Sequence, residues 1–235
     1  MLGERKGESW NVRYTKRKNV RIERINSENM FLKQSLRGYP LQLLSRQMCS
    51  SNVTKKKELL IVYHSRTGLA RQMSEALKQG AVVASKEMGE ELNIKRKKAK
   101  DCSIDDVMAA DGYIFCAPEN LATLSGEMLE FFHSNYYHAF RTTSDEEGEY
   151  HEESKILGRP YGVAIAAGSD GEGAARHITR ICTGWRLKSV AEPLIVNNGL
   201  TQTKANILSS PKTLSKESEV RCHEVGGLVA ATLML

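Results

Sequence analysis

No apolar run in this chain approaches the length of a bilayer span, so a transmembrane helix is not expected. Behind the first charged residues there is no apolar stretch of roughly 7–15 residues, which argues against a secretory signal. The five cysteines (Cys49, Cys102, Cys116, Cys182, Cys222) form no C-x-x-C pair and keep no regular spacing to histidine. No metal site is expected from them. An odd, scattered set fits a reducing compartment better than a disulfide framework, and the expected location is cytoplasmic. Cys116 closes an apolar run and Cys182 sits in a helical pattern, so both read as core residues.

The charge has little acidity at one end. Residues 1–50 hold eleven Lys/Arg against four Glu, a balance of +7, and residues 1–57 contain no Asp. The other 185 residues hold 23 basic and 24 acidic groups, a balance of −1, so the net charge of +6 belongs to the N-terminal stretch. No nucleic-acid partner is therefore expected for the folded domain. Residues 1–57 read as a basic extension without a packed core, expected to be disordered. Abundant Arg without Asp also resembles a mitochondrial presequence, against which stand the four Glu and the lack of a sustained amphipathic face. Met48 lies eleven residues before the first apolar run, and a chain starting there would be a complete compact domain.

From residue 58 onward, apolar runs alternate with helix-period segments. Residues 59–63 are a short apolar run, as for a parallel strand covered on both faces. Leu69, Met73, Leu77, Gly80 and Ala84 then recur on one helical face. Residues 92–98 read as an edge strand, with Lys95, Arg96, Lys97 and Lys98 as a solvated edge. Ser103 and Asp106 open a short helix through Ala110. Asp111-Gly112 turns into a third strand at 113–117, the loop APENLATLS follows, and a helix carries Met128, Leu129, Phe131 and Phe132 inward. A fourth strand is expected at 161–167 and a helix within 171–185, with Ala174, Ile178 and Ile181 on one face. A fifth strand is expected at 190–196 and a closing helix at 218–233, carrying Val225, Leu228, Val229 and Leu233. SDEEGEYHEES (144–154), with six acidic side chains, reads as a solvated surface loop, and 197–214 as a polar connection. Five strands alternating with helices predict a doubly wound five-stranded parallel α/β sheet, whose ligands bind beyond the carboxyl ends of the strands.

The stretch YHSRTGLA joins the first strand to the first helix, where phosphates commonly bind. A nucleoside-triphosphate loop would need G-x-x-x-x-G-K-[ST], but Gly68 stands alone and no Lys follows it. A dinucleotide fingerprint would need two further glycines, and a cysteine phosphatase loop a Cys at the strand end. What remains is SRTGLA, two hydroxyls and a run of N–H groups at a helix start, able to hold a phosphate monoester without lysine. Such hydroxyls also serve as plain N-caps. The loops PENLATLSG and AGSDGEG, after the third and fourth strands, would flank the same cleft and read the edge of a flat heterocycle.

Together SRTGLA, PENLATLSGEMLEFF and AGSDGEGAARHITRICTGW resemble, in order and approximate spacing, the three cofactor loops of the flavodoxin-like superfamily, in particular its NAD(P)H-dependent FMN reductase branch. The resemblance covers about residues 58–235 and implies strand order 2-1-3-4-5. It implies FMN as cofactor and NAD(P)H as electron donor, with a quinone, free flavin or similar small molecule as acceptor, and it allows a homodimer. Ser65, Arg66, Thr67, Gly68, Leu69 and Ala70 would then hold the FMN phosphate. Pro118, Glu119, Asn120, Leu121 and Ala122 would line the flavin ring, and Ala167, Gly168, Ser169, Asp170 and Gly171 its pyrimidine side. Ala70 stands where many members carry a hydroxyl, Arg66 adds a cation, and Asn120 replaces a stacking aromatic. Flavin redox chemistry needs no protein acid–base pair, so no catalytic residue is named. His64 and His133 read as structural, and Tyr136, Tyr137 and Trp185 as core residues before pocket or interface residues. A flavodoxin-type electron carrier is the alternative, with a flavin-free interaction module on the same fold behind it.

Overall fold

The structure is a computed structural model that describes residues 56–145, 148–197, 203–208 and 212–235. The expectations for the basic extension and for the Met48 start lie outside the described residues.

Strand β1 (Glu58–Tyr63) is buried along its whole length. Leu59, Ile61 and Tyr63 join one apolar cluster while Leu60 and Val62 join another on the opposite face. The same two-residue alternation divides β3 (Gly112–Asn120): Tyr113, Phe115 and Ala117 face one way, Ile114 and Cys116 the other. A sheet filled this way needs helices on both sides. Helix α1 (Leu69–Met88) and the closing helix α6 (Lys216–Met234), which follows the short α5 (Lys204–Leu208), cover one face. The other face is covered by α2 (Ile104–Ala109), α3 (Gly126–Asn135) and α4 (Glu172–Gly184).

The sheet runs β2 (Asn93–Lys98), β1, β3, β7 (Pro160–Ala167), with β8 (Lys188–Ser189) and β9 (Leu194–Asn197) both paired in parallel to β7. Since β8 and β9 together occupy the fifth position, the order 2-1-3-4-5 is realised. The single fifth strand expected at 190–196 is instead two short pieces. Between them the chain leaves the sheet through Ala191, Glu192 and Pro193, and proline has no N–H to donate to a ladder.

Two further expectations are corrected. The acidic segment 144–154 is strand in part: Ser144 ends β5 (Phe140–Ser144) and Tyr150–Ser154 forms β6, paired antiparallel to it, so Glu152 and Glu153 stand in a ladder where a loop was expected. Two of its carboxylates have partners across the ladder: Arg141 Nε donates to Glu153 Oε2 at 2.8 Å and Thr142 Oγ1 to Glu152 Oε1 at 2.8 Å. The third strand does not stop at Ala117 but continues through Pro118, Glu119 and Asn120. It then folds back into β4 (Thr123–Leu124). The turn residues Leu121 and Ala122 have φ of 50° and 58°, a backbone that these residue types seldom adopt.

The α1–α6 seam is set by glycine. A Cβ on Gly226 would lie 1.9 Å from the Leu77 carbonyl oxygen, and one on Gly80 would lie 2.1 Å from that of His223. This close crossing selects Cys222, Gly226, Val229, Ala230 and Leu233 as the buried stripe of α6, and it turns Leu228 outward. At the far end of the other core, Trp185 is fully buried against Phe115, Phe131, Phe132 and Tyr136, and its Nε1 donates to the Tyr136 carbonyl at 3.0 Å. Tyr137, expected in the core, is 82% exposed.

Candidate functional site

Strands β1 and β3 lie side by side with Tyr63 opposite Cys116, and the His64 N–H extends the pairing by donating to the Cys116 carbonyl at 3.0 Å. The helix after β1 crosses to one face and the helix after β3 to the other, so the strand order reverses between them. A crevice opens at such a point. The loop in it is built by local chemistry. Ser65 Oγ accepts from the Gly68 N–H at 3.1 Å, and Gly68 turns into α1 with φ 93°. No side chain caps this helix, and the N–H groups of Leu69, Ala70 and Arg71 have no partner among the described residues. Uncapped N–H groups at the positive end of a 20-residue helix are a ready anion cradle.

The chain's last connection clamps the cradle from outside. The Lys212 N–H donates to the Thr67 carbonyl at 2.8 Å, Gln72 Nε2 donates to the Lys212 carbonyl at 2.5 Å, and the Leu214 N–H donates to Gln72 Oε1 at 3.1 Å. Leu69 and Ala70 are buried in the core, so they offer the site backbone only. A hydroxyl at position 70 would sit among apolar neighbours and not in the cleft.

The cradle opens on a pocket of about 400 Å³ lined by Tyr63, His64, Ser65, Arg66, Gly68, Arg71, Lys98, Lys100 and Glu127. That volume is of ligand size, within the roughly 300–1,000 Å³ of small-molecule sites. Arg71, Lys98, Lys100 and Glu127 are not evident from the sequence, because the fold brings three distant segments together here. The only hint was the KRKKAK run. Its other cations are neutralised on the β2 edge: Lys95 pairs with Glu58 at 2.9 Å, Arg96 with Glu75 at 3.1 Å, and Lys97 with Asp106 at 2.6 Å. His64, in the pocket wall, shares a hydrogen bond of 2.8 Å between Nδ1 and Ser125 Oγ, with Nε2 3.7 Å from Glu127 Oε2. Burial pushes its pKa below the usual histidine value; the Glu127 carboxylate opposes this shift and the Arg66 cation adds to it. His133, the other candidate histidine, is exposed on α3.

The second and third loops meet each other. Glu119, at the end of β3, sends its carboxylate into the loop after β7. It accepts there from the N–H groups of Gly168 (3.0 Å), Ser169 (2.8 Å) and Gly171 (3.3 Å), and from Ser169 Oγ at 2.6 Å. The N–H groups expected to read a heterocycle edge are thus held by the chain's own Glu119. Asn120 is paired with Thr123 in the hairpin, Pro118 with Ala166, and Leu121 projects from the tip at 99% exposure. Ala122 packs its carbonyl 2.0 Å from where a Cβ of Gly173 would be, which locks the hairpin to α4. Ala167 is buried at the end of β7, Gly171 turns the chain with φ 71°, and Asp170 Oδ1 accepts from the Glu172 N–H at 2.9 Å. Ser65–Gly68, Pro118–Ala122 and Ala167–Gly171 therefore all lie at the carboxyl ends of adjacent strands, but only the first lines the open pocket.

The strand order, with helices on both faces, is that of the flavodoxin-like α/β fold. No family model matches the sequence, and no curated protein matches it. Among solved structures the chain is similar to a flavodoxin from the domain Archaea, at TM-score 0.55 and 13% identity, over 76% of this chain and 99% of that one. It is also similar to a WrbA-like flavodoxin from Agrobacterium tumefaciens, at TM-score 0.51 and 16% identity, over 76% and 98%. A third is the rubredoxin oxygen:oxidoreductase from Desulfovibrio gigas, at TM-score 0.54 and 14% identity, where 76% of this chain matches 37% of the longer one. At these identities the likeness is one of fold.

Proposed function

We propose that this chain binds FMN and passes electrons from NAD(P)H through it to a quinone, free flavin or similar small acceptor. The observation that carries the reading is the uncapped start of α1 behind Ser65–Gly68, which opens on a ligand-sized pocket at the reversal point of the sheet. The phosphate end of the cofactor fits: Ser65, Thr67 and the N–H groups of Leu69, Ala70 and Arg71 would hold it. The ring end would lie at the β3–β4 hairpin and the loop after β7, where Glu119 must yield N–H groups to admit it. Bound there, the flavin would supply the redox chemistry, and the chain's part would be to orient it and limit water. Fold likeness to flavodoxins and a WrbA-like protein supports the reading.

The test is a quenching titration of FMN fluorescence with the full chain, followed by anaerobic mixing of the loaded protein with NADPH and with NADH. Quenching with rapid bleaching at the flavin band is expected. Quenching without bleaching by either nucleotide would reassign the chain as an electron carrier. An absence of quenching would end the flavin reading altogether.

A further inference from the structure

The pocket beside the phosphate loop carries more positive charge than a monoester calls for. Four cations line it, Arg66, Arg71, Lys98 and Lys100, against one carboxylate, Glu127. Among the described residues none of the four side chains makes an ion pair or a hydrogen bond, whereas Lys95, Arg96 and Lys97, on the adjoining strand edge, are each paired. His64 adds no charge near neutral pH, because burial lowers its pKa. Unpaired cations gathered in a concavity repel one another and focus a positive potential, which an anion relieves. Their placement is directional. With strand order 2-1-3-7, a ligand laid across the strand ends puts a ring at β3 and β7 and its first phosphate on the loop after β1. Anything further along falls at the end of β2, where Lys98 and Lys100 stand.

We infer that the anion site continues past the phosphate loop to the end of β2 and takes a second phosphate, so that the ligand is a diphosphate-linked dinucleotide. Only the direction of the ligand rests on the flavin reading; the charge and the cavity do not. Two dinucleotides carry this chemistry, a flavin dinucleotide held in place of FMN and the nicotinamide dinucleotide donor.

Isothermal titration of the full chain with inorganic pyrophosphate and with orthophosphate tests the site without any flavin. Pyrophosphate is expected to bind about tenfold tighter or more, as charge-assisted contacts to a second phosphate imply. The double substitution Lys98→Gln/Lys100→Gln should remove that preference and leave orthophosphate within about twofold. The nucleotide arms then separate the sources. FAD binding about tenfold tighter than FMN, with the gain lost in the double variant, assigns the flavin dinucleotide. FAD no tighter than FMN, with NADPH binding to the flavin-free protein competitive with FMN and weakened about tenfold in the variant, assigns the donor. If neither flavin binds but NADPH does with the same sensitivity, the flavin reading fails and the diphosphate site stands. Equal affinity for pyrophosphate and orthophosphate overturns the inference. So does an equal loss of both anions in the variant, or a pyrophosphate preference that no dinucleotide shares.

Discussion

Glu119 on β3 holds Ser169, in the loop after β7, by two hydrogen bonds at once, one from its N–H at 2.8 Å and one from its hydroxyl at 2.6 Å. With the N–H groups of Gly168 and Gly171 the carboxylate fills the concavity of that loop. Desolvation works to raise the pKa of Glu119, but the Ser169 hydroxyl and the three N–H groups outweigh it and hold the pKa below its ordinary value. The ionised form is therefore the one that ties the loops. Because the folded chain is the stronger acid here, this contribution is complete above the ordinary value of about 4.5 and is lost as pH falls through the lowered one. Glu119→Gln should show less loss of stability on acidification below about pH 4.5 than the native chain, read as the shift in urea midpoint between neutral and acid pH. At neutral pH its Gly168 and Ser169 amides should exchange about tenfold faster, since a charged acceptor becomes a neutral one. FMN should bind more tightly to this variant, because a weaker competitor holds the N–H groups that flank the ring. Weaker binding with the fold intact would show that Glu119 shapes the site and does not close it.

His64 makes a prediction of opposite origin. Burial lowers its pKa from 6.5, so the folded chain prefers it neutral, hydrogen-bonded to Ser125. Below pH 6.5 the unfolded chain takes up the proton first, so the unfolded state binds more protons and stability falls as pH falls. Denaturant midpoints should therefore decline as pH falls below 6.5, and His64→Gln, which keeps a polar partner for Ser125, should flatten that part of the curve. An unchanged slope in the variant would place the pH dependence elsewhere.

Gly68 turns the loop after β1 into α1 at φ 93°. An alanine there is strained by about 1–2 kcal/mol and would tilt the first N–H groups of the helix away from the cradle. Gly68→Ala should lower the melting temperature by about 2–4 °C for each kcal/mol and weaken FMN binding by about tenfold or more. A variant that melts lower but binds FMN unchanged would show that the N–H groups of the loop do not hold the phosphate.

Much of this fold was legible because its strands are buried on both faces. Residues 59–63, 113–117 and 161–167 show as unbroken apolar runs, and the capping box of Ser103 and Asp106 marks α2 without ambiguity. What escaped the sequence depended on partners far along the chain. Glu152 reads as part of a loop until the hairpin sets it opposite Thr142. The turn at Leu121 and Ala122 carries neither Gly nor Asn, so nothing local announces φ values above zero. In the site, the loop after β1 was readable as a strand-to-helix turn because one segment builds it. The cationic pocket was not, because Arg71 comes from α1, Lys98 and Lys100 from the end of β2, and Glu127 from α3.

The hairpin's lock on α4 gives a last prediction. A Cβ on Gly173 would come within 2.0 Å of the Ala122 carbonyl oxygen, backbone against backbone, so neither side can yield by changing a rotamer. Gly173→Ala should lever the hairpin away from α4, which also strains the hold of Glu119 on the loop after β7. The cost is about 1–3 kcal/mol, as for other overpacked contacts. Hydrogen exchange should localise the change to residues 118–124 and 168–171 and leave the α1–α6 seam protected. Gly226→Ala makes the opposite pattern: its Cβ would lie 1.9 Å from the Leu77 carbonyl oxygen, so protection should fall along α1 and α6 while the hairpin is untouched. If the two variants loosened the same segments, the two faces of the sheet would be coupled more tightly than their separate apolar clusters imply.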